Sequence, residues 1–263
     1  MKFQVLKPIL KSKINPNKIR SIPSHILKPN YITNPHSHHQ LPVNQNNTWT
    51  DIQGITKASE LAKNILYTAK CVLEFIYKPK QLNALNNADK DQNDLFTRHI
   101  ESIGNISNIM QSGITTNQLD LILHNEIIRN GAYPSPLGYN GFPKSICTSI
   151  NNVMCHGIPD DRILQSSDLV NVDVTVYLNG YHGDTSDTFV LSDNNQEAKR
   201  LVNATREALT KAIHVCRDGV AFSEIAKVVE EIASKYNCTV NPDFCGHGIG
   251  RLVFLIYLIQ SSN

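Results

Sequence analysis

One stretch, residues 168–191, constrains the fold more than any other part of the sequence. Its first half alternates valine with other residues, which is the period-2 pattern of a β-strand. The valines are Val170, Val172, Val174 and Val176. Asn179-Gly180 then predicts a two-residue turn, because both central positions of a type I′ turn need a positive φ angle. We therefore expect a β-hairpin in which Leu178 pairs with Tyr181.

Two aspartates converge in this hairpin. Counting back from the turn, Asp173 faces Ser186 and Thr175 faces Asp184. Directly opposed residues point to the same face, so the two carboxylates share one side of the hairpin on a diagonal. Neighbouring carboxylates repel unless a proton or a metal ion lies between them. The alternative is a pair of solvated residues on an exposed sheet face. The strongly apolar opposite face, together with the Thr, Ser and Asp on this one, argues against that alternative and leaves a shared proton or a metal ion.

Three segments carry a resemblance to a known family. They are PSPLGYNGFPKSICTSINNVMCHGIPD, then NVDVTVYLNGYHGDTSDTF, then GHGIGR. In this order they resemble the type I methionine aminopeptidases, and most of all the mitochondrial form, from about Trp49 to Arg251. The resemblance implies an α/β (α+β) pita-bread fold with a curved antiparallel sheet. It also implies a metal-dependent hydrolase that releases the N-terminal methionine of nascent chains whose second residue is small.

The resemblance also implies a metal-ligand set. Carried onto this sequence, the metal ligands are Asp173, Asp184 and His247, the last of them flanked by Gly246 and Gly248. The implied cofactors are two divalent metal ions per subunit. The sequence does not distinguish among Co, Mn, Fe, Zn and Ni.

The same resemblance places substrate contacts upstream of the hairpin. The pocket for the methionine side chain is expected at Tyr139, Phe142 and Cys147, a composition that suits a polarizable thioether. His156 is the expected catalytic residue, because a neutral imidazole near the scissile peptide can donate a hydrogen bond there. A Cys155–His156 nucleophile pair is disfavoured, because adjacent residues on an extended chain point apart.

Composition and the resemblance together divide the chain into segments. Residues 1–50 contain Lys and Arg but no Asp or Glu, which fits a disordered leader and a mitochondrial transit peptide. A plain disordered tail of a cytoplasmic protein is the alternative. Residues 51–251 form the aminopeptidase-like domain, with a low-complexity insertion at 77–108. Residues 252–263 are a tail unrelated to the family.

The sequence departs from the family pattern after Arg251. The family continues with two metal-ligating glutamates and a second active-site histidine, and Phe254 stands at the position of that histidine. We therefore expect a fold that is incomplete at the C-terminus and a chain without appreciable activity. An inactive pita-bread module that binds a peptide or partner is the alternative function. A proline-cleaving peptidase would share the ligands, but the loop GYNGFPKSICTS disfavours it.

Net charge and the length of the apolar tail limit the possible partners. The net charge of +2 gives no argument for nucleic acid, and residues 252–259 are too short to span a membrane. We expect a monomer that associates with the ribosome.

Apolar spacing predicts a helix from Asp51, a helix capped by Thr116, and two more opened by Asp193 and Ser223. A strand is expected in the stretch CTVNPDFC before the GHGIG turn.

Overall fold

The computed structural model describes residues 20–34, 47–78 and 112–252 and the backbone of 255–259. The predicted insertion lies outside the described residues from position 79 onward. The chain divides into two units, the first formed by Met1–Ser192 with Gly250–Val253 and the second by the remaining residues. No helix among the described residues combines the length and the apolar character needed to cross a membrane.

An antiparallel sheet forms the centre of the first unit. Its strands are β1 (Tyr133–Pro134), β2 (Cys147–Ile150), β3 (Leu169–Leu178) and β4 (Tyr181–Val190). β3 pairs with β1 and β2 along one edge and with β4 along the other. The φ angles of Asn179 and Gly180 are +51° and +94°, as the predicted turn requires. The predicted hairpin and its register are confirmed over the full length of both strands.

The short helix α1 (Asn30–Thr33) lies near the face of the sheet opposite the valines, where the Tyr31 ring is nearly parallel to the ring of His182. Helices α2 (Trp49–Tyr77) and α3 (Thr116–Arg129) cover the valine face. The four valines of β3 are fully buried in one core with the apolar stripes of α2 and α3. α2 begins at a capping box between Thr48 and Asp51, as the polar residues there allow. Thr115 rather than Thr116 caps α3, because its side chain accepts the N–H of Gln118.

α2 lies unusually close to β4. A Cβ atom on Gly183 would stand 2.2 Å from the backbone carbonyl carbon of Ala58. Because no side chain fits there, Gly183 lets the helix approach the strand directly. Asp51, at the start of the same helix, accepts hydrogen bonds from Tyr181 at the hairpin turn and from Arg251. These contacts fix the turn end of the hairpin.

A buried carboxylate fixes the other end of the hairpin. Asp168 accepts two hydrogen bonds from the Arg162 guanidinium, at 2.7 and 2.9 Å, and one each from Gln165 and Asn151. Burial raises the pKa of Asp168, but the hydrogen bonds from Arg162, Gln165 and Asn151 and the arginine charge outweigh it and lower that pKa overall.

Residues 20–34, which we call the strap, pack against the rest of the first unit. Arg20 pairs with the buried carboxylate of Asp120 at 2.6 Å, and Ile26 is 3% exposed in a small apolar cluster with Leu137. The prediction of a disordered leader over 1–50 is therefore wrong for these residues. Their contacts lie about 100 positions away along the chain, so no local pattern indicated them. Residues 1–19 and 35–46 lie outside the described residues.

The second unit contains two helices and a strand pair. They are α4 (Gln196–Val215), α5 (Ser223–Lys235), β5 (Gly246–Gly248) and β6 (Leu255–Ile259). The predicted caps are corrected: the Asn195 side chain caps α4 instead of Asp193, and Phe222 precedes α5 without a side-chain cap. The strand expected in CTVNPDFC is wrong, because residues 238–245 form a loop with one turn at Pro242 and Asp243, and β5 lies instead within the predicted GHGIG turn.

Candidate metal centre and substrate pocket

The hairpin places Asp173 and Asp184 together as the sequence predicts. Asp173 pairs across the sheet with Ser186, and Asp184 with Thr175. The two carboxyl groups are hydrogen-bonded to each other. Burial, then the charge of Asp184 and this hydrogen bond, raise the pKa of Asp173 to about 7. Below about pH 7, a proton therefore lies between the two side chains when no cation is bound there.

This pair fits a divalent cation. Carboxylate oxygens are the donors that hard divalent ions prefer, and a positive ion removes the repulsion that otherwise retains a proton. Within the described ranges, no group of three or more His, Cys, Asp or Glu side chains is arranged to hold an ion. The structure therefore brings together two of the three predicted ligands, and their role in metal binding stays a prediction.

His247 belongs to the second unit, in β5. Its Nδ1 lies 3.0 Å from the carbonyl oxygen of Gly248. A carbonyl only accepts, so Nδ1 carries the proton in this contact and the lone pair is on Nε2, the tautomer with which a histidine ligates a metal. Its membership of one site with Asp173 and Asp184 stays a prediction.

Cys147 lies beside the carboxylate pair. It is the cross-strand partner of Asp173, so the two side chains share a face of the sheet. Burial, followed by the charges of Asp173 and Asp184, raises the pKa of Cys147 well above its ordinary value. The side chain is therefore a neutral thiol that behaves as a small apolar group. The structure thus brings one predicted pocket residue directly to the predicted metal ligands.

Tyr139 and Phe142 lie on the loop that leads to β2. Tyr139 begins a 3₁₀ turn that ends at Gly141, and the Phe142 N–H donates to the Tyr139 carbonyl at 2.9 Å. Gly138 and Asn140 adopt positive φ angles of +81° and +47°, which close the loop tightly. The Gly138 N–H donates back to the Phe142 carbonyl at 2.7 Å. We call residues 134–142 the pocket loop.

His156 projects from the loop after β2. It is exposed and has a φ angle of +55°, in the left-handed region; the four other non-glycine residues there among those described are all asparagines. The next residue, Gly157, holds this loop to β2, because a Cβ atom there would stand 2.1 Å from the Thr148 carbonyl oxygen. Burial and the charge of Asp173 raise the pKa of Cys155, which argues against a thiolate nucleophile beside His156.

Sequence reasoning missed His182, two residues before Asp184 on the same strand. It is 1% exposed, its Nδ1 lies 2.9 Å from the Ser135 hydroxyl, and its ring lies 4.7 Å from that of Tyr177. Burial lowers the pKa of His182 to about 3, so the ring is neutral. The alternation of β4 places it on the same face as Asp184, and that signal could have identified it.

Comparisons with known proteins agree with this geometry. The sequence pattern of metallopeptidase family M24 matches residues 92–255. The chain is 54% identical over 144 residues to methionine aminopeptidase 1D, chloroplastic/mitochondrial, of Arabidopsis thaliana, which covers 55% of the chain and 41% of that relative. It is 38% identical over 271 residues to methionine aminopeptidase 1C, chloroplastic/mitochondrial, of the same plant, covering 98% of the chain and 67% of the relative.

A solved structure is similar over most of the described fold. The crystal structure of methionine aminopeptidase from Rickettsia prowazekii matches with a TM-score of 0.63 and 35% identity, covering 82% of this chain and 73% of that one. The chain spans less than half the length of the Arabidopsis methionine aminopeptidase 1D that it matches. The predicted pita-bread fold is confirmed by this likeness.

Proposed function

The chain belongs to metallopeptidase family M24, and we propose from this that it acts on peptides that begin with methionine, releasing that residue in a metal-dependent hydrolysis. The observation that carries the proposal is the cross-strand pairing of Cys147 with Asp173. This pairing places a small neutral side chain, which suits a thioether, beside the carboxylates, which suit a cation. The names of the Arabidopsis and Rickettsia relatives support the same substrate.

Each residue has a proposed task in this reaction. Asp173 and Asp184, with His247, hold divalent ions, which when bound supply a Lewis acid and lower the pKa of water. Cys147, together with Tyr139 and Phe142 of the pocket loop, receives the methionine side chain and orients the first peptide bond. His156 donates a hydrogen bond to the substrate near that bond, because its exposed loop lies next to β2.

We propose two further properties. Substrates carry a small second residue, as the resemblance implies, and are nascent chains. The protein acts in mitochondria, which the basic, acid-free residues 1–50 and the names of several relatives support.

The experiment measures metal binding and methionine release separately. Purified protein is stripped with chelator and titrated calorimetrically with Mn²⁺ or Co²⁺, which gives the number of ions bound. Release of methionine from a Met-Ala-Ser peptide is then followed by mass spectrometry. Asp173→Asn is expected to weaken metal binding at least 10-fold and to reduce release at least 100-fold.

Asp187→Asn provides a matched control. Asp187 lies on the same strand, three residues beyond Asp184, so its side chain points to the opposite face. This variant should bind metal and release methionine like the wild type. The proposal replaces the expectation from the sequence that the chain lacks appreciable activity. If the wild type binds ions and the Met-Ala-Ser peptide but releases no methionine, that expectation holds, the proposal is wrong and the chain is a binding module instead.

A further inference from the structure

Ser135, in the pocket loop, connects that loop to the metal-binding hairpin. Its N–H donates to the Thr175 carbonyl oxygen at 2.9 Å, and Thr175 is the cross-strand partner of Asp184. Its hydroxyl lies 2.9 Å from Nδ1 of the buried His182. Ser135 is itself 2% exposed, so these bonds are sheltered from water. The position of the pocket loop relative to the carboxylate pair therefore depends on this residue.

The third polar contact of Ser135 comes from the strap. The Tyr31 hydroxyl donates to the Ser135 carbonyl oxygen at 2.5 Å. The Tyr31 ring meets the ring of Tyr139 edge-on, with centroids 5.1 Å apart at 86°, the geometry that aromatic pairs prefer. It also lies nearly parallel to the His182 ring, with centroids 6.3 Å apart. One strap side chain thus contacts a pocket residue, the connecting residue and the hairpin.

The rest of the strap is shaped to hold Tyr31 there. Ile32 packs against Gly138 so closely that a Cβ atom on that glycine would stand 2.6 Å from the Ile32 Cδ1 atom. At the other end, Arg20 neutralises Asp120. The second oxygen of Asp120 accepts the N–H groups of Ser145 and Ile146, just before β2. The strap is therefore fixed on both sides of the pocket loop.

We propose that Tyr31 is a positioning residue that holds the pocket loop in the shape that receives the side chain of the substrate's first residue. The assignment of that shape to methionine rests on the proposed function. The positioning itself rests on the contacts of Tyr31 with Ser135, Tyr139 and His182. Tyr31 touches no reacting atom, so its effect should fall on selection of the substrate rather than on the chemical step.

Three variants test this role. Tyr31→Phe keeps both ring contacts and loses only the hydrogen bond to Ser135. Tyr31→Ala loses all three contacts. Tyr67→Ala is the control, because Tyr67 is 50% exposed on α2 and its ring contacts Lys70 of the same helix.

The first measurement is hydrogen exchange of the pocket loop, read by mass spectrometry on peptides covering residues 134–142. Tyr31→Ala should speed exchange about 10-fold or more, since an aromatic pair and a hydrogen bond are lost together. Tyr31→Phe should speed it roughly 3-fold. Tyr67→Ala should leave it unchanged. Equal exchange in Tyr31→Ala and Tyr67→Ala overturns the inference.

The second measurement is the preference for Met-Ala-Ser over Leu-Ala-Ser in the metal-loaded protein. Tyr31→Ala should raise KM for the methionine peptide about 10-fold and leave kcat within about 2-fold. It should therefore reduce the preference for Met-Ala-Ser over Leu-Ala-Ser. Tyr31→Phe should retain most of the preference. A faster-exchanging loop with an unchanged preference also overturns the inference. If the wild type neither binds nor cleaves either peptide, the proposed function fails, and the exchange measurement alone decides whether Tyr31 holds the loop.

Discussion

Replacing Asp173 with asparagine should stabilise the metal-free protein and weaken the further stabilisation that a bound metal ion provides. The pKa of this carboxyl is about 7 in the folded protein, against an ordinary value of 3.8. The folded state therefore binds more protons than the unfolded state between these two pH values, so stability falls as pH rises. Each tenfold change in acidity corresponds to about 1.4 kcal/mol, so the full loss is on the order of 4 kcal/mol above pH 7.

Asparagine has nearly the same shape and carries no charge, so it avoids this loss. In chelator at pH 8, Asp173→Asn should be more stable than the wild type by up to about 4 kcal/mol, and the difference should approach zero near pH 4. Added metal acts more strongly on the wild type, because Asp173→Asn binds it at least 10-fold more weakly. At about 1,000 times the wild-type dissociation constant, one bound ion stabilises the wild type by about 4 kcal/mol and the variant by at least about 1.4 kcal/mol less, so the difference in stability decreases.

Urea denaturation followed by circular dichroism measures both effects. Curves are recorded at pH 4, 6 and 8 in chelator, and at pH 8 with increasing Mn²⁺. Asp187→Asn should follow the wild type within about 0.5 kcal/mol under every condition, as a substitution away from the pair. The reasoning is refuted if metal-free Asp173→Asn is less stable than the wild type at pH 8 and the difference in free energy of unfolding between the two proteins does not change with pH.

Three other substitutions test the scaffold by urea denaturation. Gly183→Ala should cost about 3 kcal/mol or more, because its Cβ atom would overlap the backbone of Ala58; a cost below 1 kcal/mol would contradict the close approach of α2. Arg20→Met should cost about 3–5 kcal/mol by leaving the Asp120 carboxylate, whose side chain is 0% exposed, without its cation. Adding Asp120→Asn should recover part of that cost, and no recovery would contradict the pairing. Asp168→Asn should destabilise the protein at pH 7, because the carboxylate pKa is lowered in the folded state and its contribution is present above about pH 4. The difference in free energy of unfolding between Asp168→Asn and the wild type should decrease as pH falls toward 3. A difference that stays constant with pH would contradict the argument.

The hairpin was predictable because its signals are local. Alternating valines define one face, and Asn179-Gly180 sets the register, so the pairing of Asp173 with Ser186 follows by counting. Helix α2 was predictable for the same reason, since its buried stripe repeats every 3.6 residues. Helix starts were displaced by one to three residues wherever two polar residues compete for the cap, as Thr115 and Thr116 do.

The strap could not be predicted from local signals, and the reason is physical. Its residues have no apolar period, and its prolines exclude a long helix, so by pattern it resembles a disordered segment. Its order comes from single side chains that find partners about 100 positions away, Arg20 at Asp120 and Tyr31 at Ser135. Contacts of this kind exist only after α3 and the sheet have formed. The strap should therefore order last in folding, and deleting residues 1–34 should leave the hairpin intact while loosening the pocket loop.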